Sequence, residues 1–550
     1  MLKNEILNTR LAIQVMHELL SFGIEEFCVC PGARNAPLIA VLSANPEKFK
    51  SYYFFEERSA AFFALGRIRN TGKSVAVITT SGTAVGELLP ATMEAQYAGL
   101  PLVLVTADRP RHYRGSGAPQ TAEQVGLFGV YVSQTFDLEA SEKLNLGEVS
   151  RSRPFHVNVC FDEPLLEKTD QPGPEGSPYF LQNLPAKKSL QGLSVQEDFS
   201  RETSLSSVRS FFHKAQKPVV VVGLLHPSER EVVARLLLQW NLPVYFEAIS
   251  GLREDPRLQS IRLHISDQVL ERALRAGHAV DSVIRIGGVP TLRLWRDLEL
   301  KASSLEVLSL SSVPYSGLGR GSHFVHQSLE LIAGWILEDS LCGKSFPSAP
   351  QWLALDRATV EQLRDLLEDE PRSEPGMIAA LSKSISKGAR IYLGNSLPIR
   401  EWDLASTWEN QEFEVWASRG LNGIDGQVST FLGFAQAGMA NWGVIGDLTA
   451  LYDLPGPWIL SQLQGVQANL VVVNNEGGKI FSRIFGPKEF QNQHQLRFKA
   501  WADLWGLKYE QWMEIPHVIP DAVENRLIEV LPSEEATSRF WRKYEALVCL

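Results

Sequence analysis

Short apolar strings recur along the chain, and most of them run straight into a turn of small or polar residues. The string at 27–30 is followed by Pro31-Gly32 and then by a helical pattern at 36–42. Val75–Thr79 meets Ser81-Gly82-Thr83, and residues 85–97 then read as one helix. Residues 102–106 form a further string, continuous in aliphatic residues rather than alternating, and 155–161 read as a later strand. A strand apolar on both faces belongs in a sheet covered on both sides, and strand–loop–helix repetition makes that sheet parallel. From 165 to 196 the texture turns to that of a linker, with DQPGPEGSPYF in its midst. A second set of strand strings follows at Pro218–Val222, 243–246, Ser282–Ile286 and 305–308. After another break at 340–352, strand cores return at 391–393, 443–445 and 470–473. The expected fold is α/β, with three doubly wound parallel-sheet domains at 1–180, 200–345 and 355–550.

A chain of 550 residues suits three or four domains of ordinary size. It can bury enough core to need no disulfide or metal staple. Acidic residues outnumber basic ones, 63 to 53, and the net charge of −10 disfavours a dedicated nucleic-acid binder, whose footprint would be basic. A locally basic pocket stays possible. No apolar run reaches the roughly 18 residues of a membrane span, and MLKNEILNTRLA lacks a secretory core. Cysteines at 28, 30, 160, 342 and 549 form no disulfide framework. The expectation is a cytoplasmic protein with neither membrane nor nucleic acid as partner.

In parallel α/β sheets ligands collect at the carboxyl ends of strands, so chemistry is sought in the loops there. Gly446-Asp447 directly follows one strand of the last third, and Asn474-Asn475 directly follows the next. That puts a carboxylate and an amide oxygen on adjacent loops at one sheet edge. Both are hard donors suited to Mg2+, which takes octahedral oxygen and shares its shell with phosphates. Gly477 would let a backbone carbonyl turn inward as a third ligand. A Gly-Asp turn and an Asn-Asn helix cap use the same residues, so the pattern alone leaves both readings open. YYFFEER at 52–58 reads as a strand ending in two carboxylates, with the helix SAAFFALG after it. A carboxyl flanked by Phe54, Phe55 and an apolar helix is desolvated, which raises its pKa. Equally, Glu56 or Glu57 caps the helix or pairs with Arg58.

The Gly-Asp and Asn-Asn pairing resembles the signature of thiamin-diphosphate enzymes, with Leu448 where a second glycine is usual. Eight segments carry the likeness further: CPGARNAPL at 30–38, FEERSAAFFALG at 55–66, TTSGTAVGELLPA at 79–91, TADRP at 106–110, GNSLPIR at 394–400, SRGLNGIDG at 418–426, GDLTALYDL at 446–454 and NNEGGKIF at 474–481. Together they resemble the 2-succinyl-5-enolpyruvyl-6-hydroxy-3-cyclohexene-1-carboxylate synthase family of menaquinone biosynthesis. The likeness runs in order along the chain and is weakest between 165 and 280.

The resemblance implies pyrimidine-binding, central and diphosphate-binding domains, and an active site shared between two subunits of a homodimer or homotetramer. Glu57 is then the carboxylate that activates thiamin diphosphate by sharing a proton with the aminopyrimidine ring. Asp447, Asn475 and the Gly477 carbonyl would hold Mg2+ or Mn2+, while Gly446, Leu448 and Ile480 would contact the coenzyme. Ile424 would be the apolar wedge that bends the coenzyme. The implied substrates are 2-oxoglutarate and isochorismate, which carry four carboxylates between them and call for arginine. The matching motifs offer Arg34, Arg109, Arg400 and Arg419, and Arg293 lies in a loop of the central domain. Gln120 and Ser396 would add neutral hydrogen bonds, with Ile480 and Phe481 as an apolar wall that excludes water. Ala33 and Pro119 stand where polar residues are usual, which weakens substrate orientation rather than coenzyme chemistry. No histidine falls in a recognisable motif. Another thiamin-diphosphate decarboxylase or carboligase is the nearest alternative, and a catalytically silent coenzyme-binding scaffold is a more distant one.

Overall fold

Continuous apolar strings become interior strands because parallel sheets bury both faces. The computed structural model describes residues 2–166, 179–181, 194–340, 343–482, 485, 487–520 and 524–549. Its strands form three six-stranded sheets. The first holds β1 (Glu26–Val29), β2 (Lys50–Tyr53), β3 (Val75–Thr79), β4 (Leu102–Asp108), β5 (Thr135–Glu139) and β6 (Phe155–Cys160), ordered β2-β1-β3-β4-β6-β5. The second holds β7 (Pro218–Val222), β8 (Val244–Phe246), β9 (Arg262–Leu263), β10 (Ser282–Ile286), β11 (Glu306–Ser311) and β12 (His323–His326), ordered β12-β11-β10-β7-β8-β9. The third holds β13 (Arg390–Leu393), β14 (Glu414–Trp416), β15 (Ala440–Gly446), β16 (Gln467–Val473), β17 (Lys508–Trp512) and β18 (Arg526–Val530), ordered β14-β13-β15-β16-β18-β17. Every pairing is parallel. The first and third sheets therefore share one topology, while the second has the order of a doubly wound nucleotide-binding sheet. The α/β class expected from the sequence is the class observed.

Three local expectations are corrected. Residues 85–97 are two helices, Thr83–Gly86 and Leu89–Ala98, because Pro90 lacks an N–H and suits a first turn, so the chain restarts there. The strand read at 52–58 is β2, which ends at Tyr53 and leaves Glu56 and Glu57 to a helix. Much of 165–196 falls outside the described residues, but the helix Ser194–Lys214 begins within it.

The first and third sheets are joined through equivalent helices, Glu57–Thr71 after β2 and Gln427–Phe434 after β14. Their backbones cross at glycines. A Cβ on Gly66 would lie 2.1 Å from the Thr430 carbonyl, and one on Gly433 would lie 2.1 Å from the Phe63 carbonyl. Phe62, Phe63, Phe431 and Phe434 pack around that crossing in one shared core. Polar ties lie at its edge: Trp458 donates its indole N–H to the Tyr53 carbonyl at 2.8 Å, and Ser59 Oγ lies 3.3 Å from Asp453. The end of the helix that carries Glu57 is thereby fixed against the third sheet.

Candidate active site

In register, Gly446 lies opposite Val473, so the chain leaves β15 and β16 at the same level. Asp447 opens the helix Asp447–Tyr452 and is 2% exposed. Its Oδ1 accepts the Leu448 amide at 2.6 Å and its Oδ2 accepts the Gly477 amide at 2.9 Å. Leucine at 448 contributes a backbone N–H, which explains why a second glycine is dispensable there. Burial pushes the Asp447 carboxyl up despite those amides. A carboxylate so poorly compensated favours a cation beside it.

The two asparagines divide their roles. Asn474 donates to Glu529 at 2.6 Å and to the Leu496 carbonyl at 2.9 Å, which makes it structural. Asn475 donates to both carboxylate oxygens of Glu374 at 3.0 Å, and its own Oδ1 is buried without a partner. A hydrogen-bond acceptor left bare in the interior costs about 1–3 kcal/mol unless something binds it. Gly477 has φ +140, and a Cβ there would meet the Gln491 carbonyl at 2.6 Å, so only glycine fits. These residues match the donor set of a hard, oxygen-seeking ion.

Sequence reasoning missed three residues around this point. Glu374 fixes Asn475, and the equally buried Glu401 acts on it electrostatically, with burial pushing both carboxyls up. His494 places Nε2 3.3 Å from Asp447 Oδ2. None lies in a motif, and distance along the chain hides all three.

At the start of the helix Glu57–Thr71 the two candidate carboxylates separate cleanly. Glu56 is the helix cap, accepting the Ser59 amide at 2.8 Å, and Arg58 Nε lies 3.4 Å from it. Glu57 is thus left free of both duties. Burial pushes it up, and the charges of Glu56 and Glu87 add to the rise. Phe54 is buried, but Phe55 is 58% exposed and stands edge-on to Trp458 at 4.9 Å, so the expected enclosure by Phe55 is corrected.

The candidate substrate residues are placed unequally. Arg419 is half-buried, donates Nη1 to Asn395 at 2.6 Å and keeps its buried Nε and Nη2 unpaired. Arg400 donates to the Ser396 carbonyl at 2.6 Å, and Ser396 holds the uncommon φ of +75. Glu94, on the helix Leu89–Ala98, accepts the amides of Gly420 and Leu421 at 2.7 Å and so fixes the Arg419 loop to the first sheet. Ile424 lies half-buried in the same loop. Arg109 donates to the Pro119 carbonyl at 3.0 Å, next to Gln120, which has φ +54 and approaches Gly82. Arg34 is already engaged by the Phe161 carbonyl at 3.0 Å and by Glu163 at 3.1 Å. Arg293 is corrected from a loop position: it opens the helix Arg293–Leu300, and its side chain is 65% exposed beside Asp297. Ile480 and Phe481 sit in the turn Lys479–Phe481, and Phe481 is 40% exposed, so in the single chain it shields little from water.

The partners of Glu57 come from the first third of the chain and those of Asp447 from the last. Among the described residues no hydrogen bond or ion pair joins the two groups.

Residues 9–127 match the family model of the thiamine pyrophosphate enzyme, N-terminal TPP binding domain. Across 98% of this chain and 99% of its own length, a 2-succinyl-5-enolpyruvyl-6-hydroxy-3-cyclohexene-1-carboxylate synthase of Bdellovibrio bacteriovorus is 44% identical. A protein of the same name from Akkermansia muciniphila is 37% identical over 94% of this chain and 95% of its own, and one from Rubrobacter xylanophilus is 32% identical over 90% and 89%. With near full-length coverage on both sides, the chain belongs to the 2-succinyl-5-enolpyruvyl-6-hydroxy-3-cyclohexene-1-carboxylate synthase family of thiamin-diphosphate-dependent enzymes.

Proposed function

We propose that this enzyme decarboxylates 2-oxoglutarate and adds the resulting four-carbon unit in 1,4 fashion to isochorismate, using Mg2+ or Mn2+ to anchor its coenzyme. The observation that carries the reading is the bare Asn475 Oδ1 beside the buried, under-compensated Asp447, at the same sheet edge as Arg419. Asp447, Asn475 and the Gly477 carbonyl would hold the cation. When bound, thiamin diphosphate supplies the nucleophilic carbon and the electron sink for loss of carbon dioxide. Glu57 holds and returns the proton that switches the aminopyrimidine, a task for which a raised carboxyl pKa is suited. Arg419 and Arg400 bind substrate carboxylates, Ser396 and Gln120 orient them, and Ile480 and Phe481 keep water out. We assign residues 1–180 to pyrimidine binding, 200–345 to the central domain and 355–550 to diphosphate binding. Among the described residues no helix is long and apolar enough to cross a membrane. The buried free thiols of Cys28, Cys30 and Cys160 suit the reducing cytoplasm.

Release of carbon dioxide from 2-oxoglutarate should accelerate when isochorismate is supplied. No response to isochorismate would favour a different carboligase.

Glu57 and Asp447 share no hydrogen-bond or ion-pair partner among the described residues, and we infer a site made by two copies of the chain. Mixing the inactive variants Glu57→Gln and Asp447→Ala should then restore activity, because each mixed dimer regains one intact site. Random pairing of subunits gives about a quarter of the wild-type rate. A mixture as inactive as its components would place both residues in one subunit's site.

A further inference from the structure

The carboxyl ends of the second and third sheets meet across a set of buried charges to which the reaction above gives no work. Glu247 follows β8 directly and is 2% exposed. Its Oε1 accepts both the amide and the hydroxyl of Thr291, at 2.8 and 2.9 Å, fixing the loop that leads into Arg293. Its Oε2 is buried and accepts from no donor. Beside it Asp403, on the helix Leu397–Ala405, accepts the Ala248 amide at 2.5 Å. Arg253 closes this group from behind, donating to the Asp403 carbonyl at 3.1 Å.

The unmatched acceptor has an unmatched counterpart. Arg419 Nε and Nη2 are buried and unpaired, and Arg419 and Glu247 act on each other electrostatically without a hydrogen bond between them. The other charged or titratable groups that face this pair are Asp403, Arg400 and Tyr245, with Glu94 on the far side of Arg419. Two free N–H groups on one guanidinium are the fork that grips a carboxylate. An ionised Glu247 is a second anion competing for that fork, and burial of both groups' polar atoms strengthens their interaction over that in water.

We propose that Glu247 is a positioning and specificity residue of the substrate site, a built-in carboxylate facing Arg419 that must take a proton from solvent before the arginine holds a substrate carboxylate. The proposal rests on the reading of Arg419 as a substrate arginine. Burial, and after it the charge of Asp403, pushes Glu247 up to about 7, so the exchange falls in the working range of pH. The sign follows directly. As pH rises Glu247 ionises, Arg419 is neutralised from within, and dicarboxylate affinity falls; substrate binding and proton uptake are reciprocally linked.

The KM for 2-oxoglutarate, with isochorismate saturating, should rise in the wild type by about tenfold per pH unit once Glu247 ionises. That slope should reside in KM and not in kcat. Glu247→Gln keeps an acceptor for Thr291 and cannot ionise, so its KM should be flat with pH. A flat wild-type KM, or a variant that follows the wild-type slope, overturns the proposal. Where Glu247→Gln does not fold, the wild-type holoenzyme decides: heats of binding glutarate, a dicarboxylate without a ketone, measured in buffers of different ionisation enthalpy, should report uptake approaching one proton in mild alkali, and zero uptake overturns it. Arg419→Met separates the two readings, because a KM unaffected by that change at every pH removes the substrate role of Arg419 itself.

Discussion

Glu57→Gln should fold, bind thiamin diphosphate and turn over about a hundred- to ten-thousandfold more slowly, the range expected for loss of a positioned acid–base group. The division of labour at the start of its helix is what makes the result specific. The cap contact to Ser59 and the approach to Arg58 both belong to Glu56. Replacing Glu57 by its neutral isostere therefore removes no cap, and it relieves the cost of ionising a carboxyl that burial disfavours. Removing the cap, by Glu56→Ala, should lower stability by about 1 kcal/mol and leave the coenzyme chemistry in place. Thermal melts of both variants beside their steady-state rates check the pair. A Glu57→Gln enzyme with near wild-type turnover would take Glu57 out of the mechanism.

Asp447→Ala should abolish the stabilisation that thiamin diphosphate and Mg2+ give together. A ligand at a hundred times its Kd raises stability by about 2.7 kcal/mol, which is a clear shift in a melting curve. Asp447 is central to that gain because it is the buried charge held by the Leu448 and Gly477 amides, on the loop adjacent to that of Asn475 with its bare oxygen. Its loss leaves two backbone N–H groups without their acceptor, so the coenzyme-free variant should itself melt lower. The comparison is therefore each protein with and without coenzyme plus metal. An undiminished shift in Asp447→Ala would move the cation elsewhere.

Legibility in the sequence followed burial. Interior strands such as β3, β4, β7 and β16 announced themselves through continuous apolar strings, because both of their faces are covered. Of the strands passed over, β5, β9, β12, β14 and β17 all lie at sheet edges, where one side needs no apolar partner. The sixth, β18, is interior but carries Arg526 and Glu529, which broke its pattern. Asp447 and Asn475 were legible because each directly follows a strong strand. Glu374, Glu401, Glu94 and Glu247 were not, since each is a single carboxylate on a helix or loop whose partner lies far along the chain. The same limit explains Phe55 and Phe481: apolar type suggests burial, but in the single chain both stand open.

The central claim is that a metal-anchored thiamin diphosphate binds where Asp447 and Asn475 meet. Calorimetric titration of the protein with thiamin diphosphate, at rising Mg2+ and again with a chelator, tests it most directly. Saturable uptake of one coenzyme per chain that disappears with the metal is the predicted result, and absence of uptake at every Mg2+ concentration, or uptake indifferent to the chelator, would contradict it.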